Sequence, residues 1–333
     1  MGQMYFPGEN RNEGVAKRKS LFAIVFVTFI LTGFGVYFLS TDNPSIEDVS
    51  EVEIASDESE ETTLDIIIEK DIEETIPSFT FEALRYFKTS EHAEVEYKID
   101  FPTGNTILAD SVRKHINEYL GNKYHGDLHN NQAIIDFYGD KRFRQYENAH
   151  KETFEYLEDN NDEEGDKETF TVSAYKFWSH VKIDYLEDKY VTYREESCFW
   201  TGGAHELCSE VGVTFSRKTG QRIGYSFFKN LESSSFKRVI KTGLKKYFSD
   251  ADMDVVSDEA LAEYLDVEDV DNIPLPSAHP YFTPDGICFK YHSYEIASYA
   301  AGFPSFILSY DEAREYLSDE AYSLILSNSN ITE

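Results

Sequence analysis

The sequence predicts an α+β chain, antiparallel sheets with packed helices, preceded by one transmembrane helix and an acidic stalk. Three observations predict it: an uncharged apolar run at residues 21–39, an acidic stretch without aromatic residues from Asp42 to Glu74, and a remainder in which strand-like and helix-like segments fall in separated runs.

The apolar run "LFAIVFVTFILTGFGVYFL" would measure about 28 Å as a helix, close to the hydrocarbon thickness of a bilayer. Lys17, Arg18 and Lys19 precede it and Asp42, Glu47 and Asp48 follow it. The basic flank is expected to stay cytoplasmic, which makes the chain a single-pass protein of the cell membrane, held in the inner membrane through residues 20–40. Its C-terminal domain would then be periplasmic or extracellular. A cleaved signal peptide with small residues at Gly33-Phe34-Gly35 is the rival expectation. Residues 42–74 hold fourteen Asp or Glu against one Lys, a composition that cannot bury enough surface to offset ordering, so a stalk is expected over residues 41–76.

The 333 residues are 41% hydrophobic and 15% aromatic, enough for one or two domains with real cores. Net charge is −31; the first 19 residues carry +2, which leaves −33 on the exported part. That field repels nucleic acid and anionic lipid and favours encounter with a cationic partner.

"AEVEYKIDFP" (93–102) places Val95, Tyr97, Ile99 and Phe101 on one face at period two and reads as a half-buried strand. "DSVRKHINEYL" (110–120) puts Val112, Ile116 and Leu120 on one helical face behind Asp110 as cap. A second helix is expected from Asn131 to Leu157, ended by the acidic loop 158–168. Residues 169–184 and 189–200, rich in Thr, Val, Tyr, Phe and Trp, read as a hairpin through "YLEDK", continued by a third strand at 206–215 and a turn at 216–220 with Gly220 free to take positive φ. "SFKRVIKTGLKKYF" (235–248) is amphipathic and "SDEALAEYL" (257–265) is a further helix; strands at 281–283 and 286–291 flank Pro284-Asp285-Gly286.

Motifs for established chemistries are incomplete. His125 and His129 have the i, i+4 spacing of two zinc ligands, but Gly126 and Asn130-Asn131 favour a polar loop. His205 opens "HELCS", where Ser209 stands at the position of the second zincin histidine. Asp250, Asp252 and Asp254 alternate as in a calcium loop, with Val255 where glycine is needed and Leu261 where the bidentate glutamate is needed. Lys237, Arg238, Lys241, Lys245 and Lys246 make one dense basic face, read as a wet helix face paired with carboxylates. No catalytic residue, metal or cofactor is assigned on this basis.

Cys198 and Cys208 lie equally spaced about Gly203 in "CFWTGGAHELC", so antiparallel strands on either side of a Gly202-Gly203 turn would bring them opposite each other within disulfide range. The alternative is two buried thiols displaced by a one-residue register shift. Cys288 is left unpaired in either case.

Four motifs in order resemble one family. They are "WTGGAH" (200–205), "TFSRKTGQRI" (214–223), "SFF" (226–228) and the long "YFTPDGICFKYHSYEIASYAAGFPSF" (281–306), with Ser298 replacing a proline. They are similar to the DUF3298 family, while "EYKIDFPTGNTILADSVRKHINEYL" resembles its companion module DUF4163. Such domains occur on the extracytoplasmic side of a lysozyme-sensing anti-sigma factor and in a peptidoglycan deacetylase. The resemblance divides the chain into a cytoplasmic tail (1–19), the span, the stalk, a DUF4163-like module (77–168) and a DUF3298-like module (169–333).

The resemblance implies a membrane-anchored binding or sensing module for an envelope protein or glycan, with a basic protein such as lysozyme as one candidate partner. About 20 residues before the span leave no room for a sigma-factor-binding domain, and the separate catalytic domain of a deacetylase is missing. The implied binding residues are Trp200, Gly202, Gly203, His205, Tyr291, Tyr294, Glu295 and Tyr299. A cell-wall glycan hydrolase or deacetylase, and a structural envelope protein without a specific ligand, are the alternative readings.

Overall fold

The computed structural model describes residues 78–159, 173–251 and 253–325. The expected tail, span and stalk, the acidic loop from residue 160 on, and Asp252 lie outside the described residues. No helix among the described residues is long and apolar enough to cross a membrane.

Strand β1 (Phe81–Thr89) leads into β2 (Ala93–Pro102), in which Val95, Tyr97, Ile99 and Phe101 are all buried, as their period-two spacing requires. Helix α1 (Ile107–Tyr119) begins earlier than its apolar spacing suggests: Thr106 is the cap, accepting from the Ala109 N–H at 3.1 Å. Asp110, expected as the cap, sits in the first turn and pairs with Arg113. Helix α2 runs over Asn131–Asp159. Strands β3 (Tyr175–Leu186), β4 (Tyr190–Trp200), β5 (Leu207–Ser216) and the two-residue β6 (Arg222–Ile223) complete a six-stranded sheet in the order β1-β2-β3-β4-β5-β6.

That sheet is mixed, which corrects the expectation of antiparallel pairing throughout. β2 and β3 run parallel, from Ala93 beside Tyr175 to Ile99 beside Val181, because α1 and α2 carry the chain back to the end of the sheet from which β2 started. The sheet takes strands from both sides of residue 168, so the two modules expected from sequence share it. Both helices cover one sheet face, where Leu108, Val112, Ile116, Ile134, Ile135 and Tyr138 pack on the inward residues of β2, β4 and β5.

The second core is built around helix α3 (Ser234–Asp250), whose Phe236, Ile240, Leu244 and Phe248 are buried, and helix α4 (Asp258–Tyr264). They pack on a three-stranded antiparallel sheet of β7 (Tyr281–Thr283), β8 (Gly286–Lys290) and β9 (Ser305–Leu308), followed by helices α5 (Tyr310–Ala313) and α6 (Asp319–Ile325). Phe289 and Phe306 stack across β8 and β9 at 5.1 Å. The basic face of α3 is paired much as its sequence suggests: Lys241 meets Asp258 and Asp271, Lys245 meets Asp258, and Lys246 meets Asp250. Lys241 and Lys245 hold the Asp258 carboxyl down at about 2.

The small sheet stands against the large one through a pair of buried threonines. Thr192 on β4 and Thr214 on β5 are directly opposite, and both reach β7. The Thr192 hydroxyl donates to the Phe282 carbonyl at 2.9 Å, and the Phe282 N–H donates to Thr214 Oγ1 at 2.8 Å. Nearby, the Tyr281 ring occupies the space a Cβ would need at Gly212, 2.3 Å from its closest atoms, so β7 can approach β5 only over a glycine.

Candidate functional site

The hairpin of β4 and β5 projects the loop 201–206 from the end of the large sheet. Cys198 pairs in register with Cys208, their Cα atoms 4.1 Å apart, and a disulfide joins them. Gly202 and Gly203 follow with φ of 88° and 127°, values that side chains with a Cβ rarely adopt, so the turn is specific to glycine. Trp200 Nε1 donates to the Gly203 carbonyl at 3.2 Å and closes the loop. Trp200, Gly202 and Gly203 therefore build the turn, and the residue it presents is His205.

His205 Nδ1 lies 2.8 Å from the Glu206 carbonyl, which can only accept, so Nδ1 carries the proton. Nε2 faces the other way, and the Tyr294 hydroxyl lies 3.5 Å from it. The imidazole lies flat on Tyr299, with ring centroids 4.1 Å apart and planes 16° apart, and Tyr294 leans over the same tyrosine at 5.6 Å. Two segments distant in sequence thus form one aromatic rim. Its sides face water: His205 and Glu206 are exposed, and Tyr294 keeps 56% of its surface.

The loop after β8 holds Tyr294 in a backbone conformation with φ of 66°, unusual for a bulky residue and maintained only where the surroundings fix it. Glu295 supplies that constraint: one carboxylate oxygen accepts from the His292 N–H at 2.7 Å and the other from the Ser277 N–H at 2.6 Å. Ile296 and Ala297 are buried behind it, and Tyr299 opens a short 3-10 turn ending at Gly302, where the Tyr247 hydroxyl donates to the Ala301 carbonyl at 2.7 Å. His292, whose Nδ1 lies 3.3 Å from the Ser209 hydroxyl, is pushed down by burial.

The site residues implied by sequence therefore separate. His205, Tyr294 and Tyr299 come together at the surface. Glu295 is a clamp for the loop. Tyr291 has no exposed surface and donates its hydroxyl to the Pro274 carbonyl at 2.8 Å, so it is a core residue and cannot contact a ligand. Glu206 was missed, although its place beside His205 in a turn marks it as exposed. Trp178 and His180, on the face of β3 turned away from the helices, were also missed. Trp178 stands opposite Cys198, and its ring lies 4.7 Å from that of His180. Period-two alternation along β3 would have put them on one face.

On that same face Glu96 collects Arg85, Lys98 and His180. Burial pushes its carboxyl up, and the hydrogen bonds from Lys98, Arg85 and His180 overcome this and bring it down to about 2.

The rim can offer ring faces, a hydroxyl and a carboxylate to a docking partner. His125 and His129 lie in the loop between α1 and α2, so the shared helical face their spacing would give does not form. His129 instead stands 3.9 Å from Asp110. Among the described residues, Cys198, Glu206 and Cys208 are the one group of metal-ligating atoms gathered within 4.8 Å, and the disulfide engages both sulfurs.

Comparison with known proteins returns matches to both halves. Residues 226–311 match the family model described as protein of unknown function DUF3298, and residues 88–207 match the one described as deacetylase PdaC. The crystal structure of a DUF3298 family member from Bacteroides fragilis superposes with a TM-score of 0.60 at 19% identity, over 74% of this chain and 96% of that one, a likeness of fold. A DUF3298 family protein from Pseudomonas aeruginosa covers the same shares at 14% identity and a TM-score of 0.49. No curated protein matches the chain.

Proposed function

We propose, for a chain that matches the DUF3298 model over residues 226–311 and the PdaC model over residues 88–207, a binding function on the outer side of a membrane, with the chain anchored through residues 20–40. The ligand is a basic protein of the envelope, and the contact surface is the rim of His205, Tyr294 and Tyr299 with Glu206 beside it. The observation that carries this reading is the three-ring cluster, with His205 and Tyr294 exposed and Tyr299 half-buried between them, held by the Glu295 clamp and the Gly202-Gly203 turn before any ligand arrives. Rigid aromatic residues bind at low entropic cost, and a lysine or arginine over a tyrosine face with a carboxylate alongside gains cation–π and ionic attraction together. The charge of −33 beyond the first 19 residues draws such a partner in.

Capture of proteins from envelope extract by the chain, repeated with Tyr294→Ala/Tyr299→Ala, tests the reading. Basic proteins retained by the wild type and lost by the variant support it; equal retention by both counts against it.

The match described as deacetylase PdaC favours a second reading, action on a cell-wall glycan. Release of acetate from acetylated peptidoglycan by the purified chain, with and without added zinc, discriminates the two.

A further inference from the structure

We propose that the outer edge of β1 pairs with the same edge of a second copy of the chain, joining two six-stranded sheets into one across a two-fold axis at Arg85.

Among the described residues β1 is the terminal strand of the large sheet and pairs with β2 alone. The ladder is fixed at both ends: the Thr103 N–H donates to the Thr80 carbonyl and the Ser90 N–H to the Ala93 carbonyl, each at 2.8 Å. Both belong to even positions before and after β1, and the register between them is unbroken. Even-numbered residues therefore bond β2, and the backbone groups of Phe81, Ala83, Arg85, Phe87 and Thr89 point outward. A nine-residue edge of this kind is a template for another strand unless something guards it.

The two basic residues that would guard it are drawn back onto their own subunit. Arg85 donates Nε to Glu96 at 2.8 Å with Nη2 at 2.7 Å, and Lys88 is held 3.0 Å from Asp140. Phe81 and Phe87 are left 46% and 48% exposed along the edge.

Self-complementarity identifies the occupant. With Arg85 on the axis, the outward residues face outward residues: Phe81 meets the second copy's Thr89, and Ala83 meets its Phe87. Glu82 then falls opposite Lys88, twice by symmetry, and Leu84 opposite Tyr86. Shifting the register by two in one direction puts Lys88 against Leu84; shifting it the other way puts Glu82 against Tyr86. Neither pairs the charges. Each Arg85 on the axis arrives with Glu96 as counter-ion, so its encounter with its twin is not one of bare like charges. The centred register would make about ten inter-strand backbone hydrogen bonds.

Sedimentation of the full chain in mild detergent, at about 0.15 M ionic strength so that the long-range repulsion between acidic bodies is screened, tests the proposal. The wild type is expected to sediment as a dimer and Ala83→Pro as a folded monomer with a single cooperative melting transition that no longer depends on protein concentration, since proline there removes an outward N–H and leaves the β2 ladder whole. An Arg85→Cys variant in a Cys288→Ser background should give a covalent dimer on a non-reducing gel, whereas Ile307→Cys, exposed on the other sheet, should not. A monomeric wild type, an Ala83→Pro chain that stays dimeric, or an Arg85→Cys chain that fails to cross-link would overturn it. So would a monomer whose outward β1 amides resist hydrogen exchange, because the edge would then be occupied by another segment of the same chain.

Discussion

His205 lies flat on Tyr299, ring centroids 4.1 Å apart, and this stack joins the disulfide-closed hairpin of the large sheet to the loop between β8 and β9 of the small one. Each side is rigid on its own account. The turn below His205 uses two glycines at positive φ, and the loop below Tyr299 is tied by Glu295 through two backbone N–H groups. A surface made of parts already held in place can bind without first being ordered.

Glu295→Ala is expected to loosen that loop. Two charge-assisted hydrogen bonds are lost at a partly buried site, so the chain should be destabilised by about 1–3 kcal/mol, measured by chemical denaturation. Proteolysis should move to the 292–299 loop. An unchanged transition would mean that the Tyr294 conformation is held by something other than the clamp.

Thr214→Val removes the acceptor for the Phe282 N–H and leaves a buried donor unpaired. A loss of about 1–3 kcal/mol is expected, and amide exchange in β7 should rise more than in β8. A loss confined to the second core would identify these bonds as the tie between the two sheets.

The acid limb of stability should depend on Glu96. Its carboxyl lies at about 2 in the folded chain against an ordinary value near 4.5, so it contributes stability above about pH 4.5 and loses it as pH falls towards 2. Glu96→Gln should flatten the decline in melting temperature across that window. An identical decline in both proteins would assign the acid sensitivity to other carboxylates.

The Cys198–Cys208 bond should appear as a linked peptide in mass spectra of the non-reduced, alkylated chain, with Cys288 as the only alkylated cysteine. Reduction should cost about 2–3 kcal/mol, given the short loop it closes. Three alkylated cysteines would place the native hairpin in the thiol form.

Much of the fold was legible because burial is periodic. The odd residues of β2 and the Phe236, Ile240, Leu244, Phe248 stripe of α3 announce their elements directly. β1 was not legible: as an edge strand with most of its residues exposed it has no need of alternation. The parallel pairing of β2 with β3 was hidden because it depends on where two helices return the chain, which no local pattern records. In the candidate site, motif resemblance named residues without separating surface from support. Tyr291 and Tyr294 look alike in sequence, yet one is fully buried and the other is more than half exposed. The exposed one is the residue at positive φ, a backbone state that the residue type does not announce.

The measurement closest to the central claim is a calorimetric titration of a basic protein, lysozyme, into the wild-type chain and into Tyr299→Ala, at constant pH and at two salt concentrations. The substitution leaves charge untouched. The account predicts saturable wild-type binding that persists at moderate salt, and about a tenfold or greater loss of affinity in the variant. Equal affinities, weakening together and vanishing as salt rises, would reduce the interaction to attraction between opposite net charges and contradict the aromatic rim as a binding site.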